Sequence, residues 1–283
     1  MSIIYDNSLS IKRSLLFLFS DKGVFLLSLL QPTVVTLVSG QPETVLIDTL
    51  FTAEQGVALG DWIEDIIPDK RLSTIYITHG HGDHWFNLPY LKRRFPGVEV
   101  VSTQKSIDHM ATQLTPEFRS FWHDLFPNQI NDESFQIAGH TSEVIDVGHS
   151  DTDETTFLHV PALKMAVTGD IVYNDVHMWM AESPSQSQRD TWLQSLDKVA
   201  SYSPEIVIAS HHRPGGVDGA FNIEASKQYI KTFSKLVQLS TSAVELYNKV
   251  VEAYPNRIGR LVLWLGCQAV LSTKDQSSLP DEL

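Results

Sequence analysis

The eight residues Thr78-His79-Gly80-His81-Gly82-Asp83-His84-Trp85 constrain this chain more than any other stretch. Three imidazoles and a carboxylate lie between His79 and His84, directly after the β-branched run Thr74–Thr78, which reads as a strand. The two interposed glycines, Gly80 and Gly82, are expected to adopt backbone angles closed to other residues and so turn several donors inward. Imidazole nitrogen beside carboxylate oxygen suits zinc, iron, manganese or cobalt better than calcium or magnesium. A lone histidine is usually a satisfied core or surface residue. Three with an aspartate at this spacing read as a metal loop.

One loop cannot close two metal sites, so further donors are expected at other strand ends. The candidates are His149 in Val147-Gly148-His149-Ser150-Asp151, Asp170 in Thr168-Gly169-Asp170, and His211 in Ala209-Ser210-His211. Strands are expected over Thr44–Ile47, Val98–Val101, Glu143–Val147, Thr155–Val160, Lys164–Val167 and Glu205–Ala209. Thr52 and Gln55 form a capping-box pattern opening a helix to about Ile66. Further helices are expected over Phe86–Phe95, Lys105–Gln113, Arg189–Ala200, Ile223–Leu239 and Ser242–Tyr254. Alternating strands and helices indicate an α/β protein. Each candidate donor falls just past a strand, where a rigid sheet holds functional loops in place.

The ordered set HxHxDH, a Gly-His turn, a Gly-Asp turn and a final strand-end His resembles the metallo-β-lactamase superfamily from about Val45 to Gly216. The match extends to a subgroup with a Gly-His-Ser/Thr-Asp-x-Asp turn and a late His-x-Arg-Pro turn, here His211-His212-Arg213-Pro214. The resemblance implies a four-layer αββα sandwich with two divalent metal ions, zinc foremost, with iron, manganese or cobalt as alternatives. By the same resemblance His79, His81 and His149 hold the first ion. Asp83, His84 and His211 hold the second, and Asp170 bridges them. A bridging water, its pKa lowered between two cations, would then attack an acyl carbon as hydroxide.

His140, in Gly139-His140-Thr141, also fits a Gly-His turn, but His149 follows a clean strand and precedes Asp151 and Asp153. His211 is preferred over His212 because it follows the Ser that stands where the family usually has Gly. Tyr173, three residues after Asp170, matches a tyrosine of acyl-homoserine lactonases that contacts the substrate carbonyl. Trp85, Phe86, His177, Trp179 and His212 are the expected substrate contacts. His109, His123 and His159 read as structural or surface residues, as does His177 if it does not line the pocket.

Composition narrows the chemistry. A net charge of −13 disfavours a nucleic-acid partner, because phosphate binding needs Lys and Arg. The densest basic cluster, Lys92-Arg93-Arg94, reads as a solvated helix face. No stretch reaches the ~18 apolar residues that span a bilayer. The nearest, Ser14–Leu30, is broken by Asp21-Lys22-Gly23 and reads as an apolar hairpin rather than a signal peptide. The apolar segment Leu15–Val38 departs from the family's usual opening and leaves a lipophilic substrate, a homodimer contact or an altered N-terminus open. The single cysteine, Cys267, lies beside an apolar run and reads as a core residue in a reducing, cytoplasmic setting.

With no repeat or linker, the chain reads as one domain, 1–283, with the apolar hairpin in 1–40 and C-terminal helices in 222–254. The expected activity is hydrolysis of a small-molecule acyl substrate, foremost a lactam or lactone. A glyoxalase-II-like thioesterase and an iron-dependent sulfur dioxygenase are the alternatives. A metal-stabilised binding protein is disfavoured, because all seven donors are present.

Overall fold

The computed structural model describes residues 2–5, 9–15, 31–39, 43–126 and 144–271. The expected turn at Asp21-Lys22-Gly23 and the alternative donor His140 lie outside them. The described residues fall into two compact units, one within 1–16 and 33–144, the other within 17–32 and 145–283.

The first unit is built on a six-stranded sheet in sequence order. Its strands are β1 (Ser2–Tyr5), β2 (Leu9–Leu15), β3 (Val34–Ser39), β4 (Glu43–Ile47), β5 (Arg71–Tyr76) and β6 (Glu99–Val101). β1 to β4 pair antiparallel, whereas β4, β5 and β6 run parallel. Parallel neighbours need a crossover. α1 (Ala53–Ile66) supplies it between β4 and β5, and α2 (Leu88–Arg94) between β5 and β6. The capping box at α1 is present as the sequence predicts, Thr52 accepting from Gln55 N while the Gln55 side chain returns to Thr52 N. Leu59 and Ile63 of α1 and Leu37, Leu46 and Ile75 of the sheet are fully buried. Each such aliphatic side chain contributes roughly 1.5–3 kcal/mol on leaving water. α3 (Gln104–Gln113) and α4 (Pro116–Leu125) follow β6, the second of them not anticipated from sequence.

The second unit holds a four-stranded sheet ordered β10-β9-β8-β7. The strands are β7 (Val144–Gly148), β8 (Thr155–Val160), β9 (Met165–Val167) and β10 (Ile206–Ile208). β8 and β9 are antiparallel, while β9 and β10 are parallel and joined through α5 (Gln186–Ser201). α6 (Phe221–Gln238), α7 (Ala243–Ala253) and α8 (Arg260–Leu271) complete it, with α5 packing on α6, α6 on α7 and α7 on α8. Phe157, Trp192, Leu196, Tyr229, Phe233, Leu246 and Leu263 belong to one buried apolar cluster. Cys267 lies in the same cluster, fully buried as the sequence predicts. No helix among the described residues is long and apolar enough to cross a membrane.

Candidate metal centre

In the first unit the site begins where two parallel strands end together. Ile47 of β4 is in register with Tyr76 of β5, and Asp48 N donates to Tyr76 O at 2.9 Å. Asp48 is left-handed (φ 62°), a conformation Asp tolerates better than most residues. Its fully buried carboxylate accepts from Thr78 N at 3.0 Å and Thr78 Oγ1 at 3.0 Å, and from His84 Nδ1 at 2.9 Å. A hydrogen on Nδ1 leaves the lone pair of His84 on Nε2, the tautomer a metal ligand needs. Thr78 Oγ1 also lies 3.0 Å from His79 Nδ1, which directs the Nε2 lone pair of His79 the opposite way. That Nε2 is 3.0 Å from His81 Nδ1, and His84 Nε2 is 3.6 Å from Asp83 Oδ2.

Gly80 and Gly82 are glycine for a different reason from the one expected. Neither has a left-handed φ. A Cβ on Gly80 would meet His109 Cγ at 2.5 Å, and one on Gly82 would meet the Phe86 ring at 2.3 Å. The loop is therefore packed down on two rings, and space rather than backbone freedom excludes a side chain. Phe86 in turn stacks edge-on with Trp122 of α4, and Trp85 Nε1 donates to Gly80 O at 2.8 Å. Trp85 and Phe86 are each 1% exposed, so both support the loop from the core. His109, set aside in the sequence, has its ring centroid 5.4 Å from that of His81. No motif marks it, since it reaches the loop only through the placing of α3.

The far end of the loop is tied to α1. Asn87 is fully buried, and its Nδ2 donates to Thr49 O and Thr52 O, both at 3.1 Å. Thr49 N in turn donates to His84 O at 2.7 Å. Arg94 departs from the solvated face expected of Lys92-Arg93-Arg94. Its guanidinium pairs with Asp61 at 2.7 Å and Glu64 at 2.7 Å, pinning α2 to α1 and keeping the group firmly protonated.

The second unit repeats the device. Ile208 of β10 is in parallel register with Val167 of β9, so Asp170 and His211, each three residues beyond its strand, emerge side by side. Ser210 N donates to Gly169 O at 3.0 Å, closing the pair of turns. His211 Nε2 is 3.0 Å from Asp170 Oδ2, and Tyr173 donates its hydroxyl to the same oxygen at 3.2 Å. The Tyr173 ring also stacks on His211, with centroids 5.5 Å apart. Burial, then the Asp170 and Asp151 charges, push the Tyr173 hydroxyl well above its usual range, so it stays a donor.

The remaining predicted residues of this unit are placed as follows. His149 follows Gly148, whose φ of 79° favours glycine, and has neighbours at both ring nitrogens: Asp153 Oδ1 at 2.6 Å from Nδ1 and Ser183 Oγ at 2.8 Å from Nε2. His212 is fully buried against Gly216 O at 3.1 Å and Asp218 at 3.3 Å. His177 is buried with its Nδ1 3.0 Å from the Tyr229 hydroxyl, and burial, Arg257 and Arg260 lower its pKa to about 3. It is a neutral core residue. Trp179 Nε1 donates to Glu182 at 3.2 Å.

The sequence profile of the metallo-beta-lactamase superfamily matches residues 30–211. The chain belongs to the metallo-beta-lactamase superfamily. Its fold is similar to that of a beta-lactamase domain protein from Burkholderia ambifaria, at a TM-score of 0.65 and 14% identity over 95% of this chain and 86% of that one. It is similar also to a metallo-beta-lactamase family protein from Thermus thermophilus, at 0.61 and 15% over 93% of each chain. The metallo-beta-lactamase FIM-1 from Pseudomonas aeruginosa, described in a mono-zinc form, gives 0.57 and 16% over 82% of this chain and 94% of that one. No curated protein sequence matches. The expected α/β fold of this superfamily stands, with a sheet and its own helices in each unit. Membership sets the chain among proteins that are mostly metal-dependent hydrolases.

The donors within each unit suit the divalent ion the superfamily implies. Two atoms each about 2.0–2.1 Å from one tetrahedral zinc lie roughly 3.3 Å apart. The pairs His79–His81 at 3.0 Å, Asp83–His84 at 3.6 Å and Asp170–His211 at 3.0 Å bracket that spacing. The outward nitrogens of His79 and His84 are already tied to Thr78 and Asp48.

Proposed function

We propose that the chain is a binuclear metal-dependent acyl hydrolase acting on a small lactam or lactone, with zinc as the metal. The observation that carries the reading is the arrangement around His84. A buried carboxylate, Asp48, fixes its Nδ1 hydrogen and turns the Nε2 lone pair toward Asp83. Such a device serves a ligand and has little value to a residue that merely packs.

On this reading His79, His81, Asp83, His84, His149, Asp170 and His211 hold the metal ions, as their motif order suggests. Divalent ions bound there supply Lewis acidity toward the acyl oxygen and an acidified water. The chain's own residues do the rest. Thr78 and Asp48 orient imidazoles, and Asp170 takes a hydrogen bond from Tyr173 while facing His211. Tyr173 acts through Asp170, because its hydroxyl is already committed to that carboxylate and its ring is fully buried. The cytoplasmic setting belongs to the same proposal and leans on one buried, unpaired thiol.

The test is proton release on a panel of lactams, lactones, thioesters and phosphodiesters, run beside Asp170→Ala. Acid release from a lactam or lactone that disappears in the variant supports the reading. Release from thioesters alone hands the case to a glyoxalase-II-like activity. Silence from the fully metallated protein across the panel overturns hydrolysis, with sulfur dioxygenation next to assay.

A further inference from the structure

The ring of His109 occupies the space that a side chain at position 80 would take. A Cβ on Gly80 would lie 2.5 Å from His109 Cγ and 2.6 Å from its Cβ and Nδ1. The same ring meets the imidazole of His81 edge-on, with centroids 5.4 Å apart and planes at 69°. One side chain from α3 thus touches two consecutive residues of the metal loop.

α3 is held so as to deliver that ring. Ser102 Oγ donates to Ile77 O at 3.0 Å and Ile77 N to Val101 O at 3.0 Å, joining the approach to α3 to the end of β5. Thr103 then caps the helix by accepting from Ser106 N at 3.1 Å. Ser106, Met110 and Gln113 are buried, and His109, half-buried, falls among them on the i, i+3, i+4, i+7 stripe that a helix turns inward. A flat ring can meet Gly80 and His81 at once, a shape that branched aliphatic side chains lack. Two other imidazoles of the loop are oriented through polar atoms, His79 by Thr78 Oγ1 and His84 by Asp48.

We propose that His109 is a positioning residue of the metal loop, which packs against Gly80 and sets the orientation of the His81 imidazole. The inference rests on the reading that this loop binds divalent metal. The role is one of shape, so phenylalanine should fill it.

The experiment compares wild type with His109→Ala, His109→Phe, Gly80→Ala and the double variant Gly80→Ala/His109→Ala. Calorimetric titration gives zinc affinity, and the visible d–d absorption of the cobalt-saturated protein reports ligand geometry. His109→Ala is expected to weaken zinc by roughly 10–100-fold, the range for losing a ligand's outer partner, and to alter the cobalt bands. His109→Phe should keep zinc affinity within about 3-fold of wild type, with the wild-type cobalt bands. Gly80→Ala should also weaken zinc, because its new methyl strikes the ring. Removing the ring as well should recover part of that loss, so the two substitutions are not additive.

Far-UV circular dichroism confirms that each variant folds, and if Gly80→Ala does not, the two His109 variants decide. Unchanged cobalt bands in His109→Ala overturn the proposal even if that variant melts earlier, since plain packing predicts no more than that. His109→Phe as impaired as His109→Ala also overturns it and assigns the role to the imidazole nitrogens. Additive losses at positions 80 and 109 do the same to the packing link between them. Wild type that binds neither zinc nor cobalt overturns instead the metal reading on which the proposal rests.

Discussion

Asp48 Oδ2 lies 2.9 Å from His84 Nδ1, joining residues 36 positions apart in the chain into one buried pair. The carboxylate holds two groups at once, since Thr78 N also donates to its other oxygen at 3.0 Å. Asp48→Asn keeps the size but offers only one acceptor oxygen and no charge. It is expected to weaken metal at the His84 position by roughly 10–100-fold, the usual effect of removing a ligand's outer partner. Calorimetric titration with zinc measures this, and unchanged affinity would show that His84 needs no such orientation.

Tyr173→Phe removes the hydroxyl that Asp170 accepts and keeps the ring stacked on His211. Metal content should stay intact while turnover falls. Stability should drop by about 1.5–3 kcal/mol, the range for a hydrogen bond to a charged group. Urea unfolding and steady-state rates on the same preparation separate the two effects. Turnover equal to wild type would take Tyr173 out of the mechanism.

Gly56→Ala tests how α1 is held. Alanine is the better helix former by about 1 kcal/mol. Yet a Cβ at position 56 would meet Asn87 Oδ1 at 2.4 Å and Cγ at 2.8 Å. The Asn87 amide is fixed by two carbonyls and cannot swing aside. Overpacking should therefore win, with a net loss of roughly 1–3 kcal/mol in denaturant unfolding. A stabilised variant would mean that Asn87 is not held as rigidly as its hydrogen bonds indicate.

His177 gives a pH signature. Its pKa is lowered to about 3 from the ordinary 6.5 by burial, with Arg257 and Arg260 adding to it. The unfolded chain therefore takes up a proton near pH 6.5 that the folded chain refuses. The stability contribution is present above pH 6.5 and lost as pH falls from 6.5 toward 3, at up to about 1.4 kcal/mol per pH unit. Unfolding free energies of wild type and His177→Asn, measured at pH 7 and pH 5, should converge by that slope. A difference that stays constant would mean His177 protonates within the fold.

Much of the secondary structure was legible because each segment carries its own signal. The capping box at Thr52 and the strands at β4, β7 and β8 lie where side-chain pattern places them. α4 and α8 were not foreseen. α8 reads RLVLWLGCQAVL, apolar on nearly every face, so no 3.6-residue alternation separates it from a buried strand. α4 carries a proline in its first turn after Thr115, a start signal left unread.

The metal loop shows where sequence stops. Its residue types and spacing alone marked His79, His81, Asp83 and His84 as candidate donors, because coordination chemistry is local to side chains. The order of the later turns likewise picked out Asp170 and His211. Tertiary structure decided the rest: which nitrogen of His84 carries the hydrogen, that Gly80 and Gly82 answer to His109 and Phe86, and that Tyr173 is buried with its hydroxyl on Asp170. Those facts depend on partners distant in the chain, brought together by parallel strand register and helix packing. Composition carries no record of which distant groups will share a few ångströms.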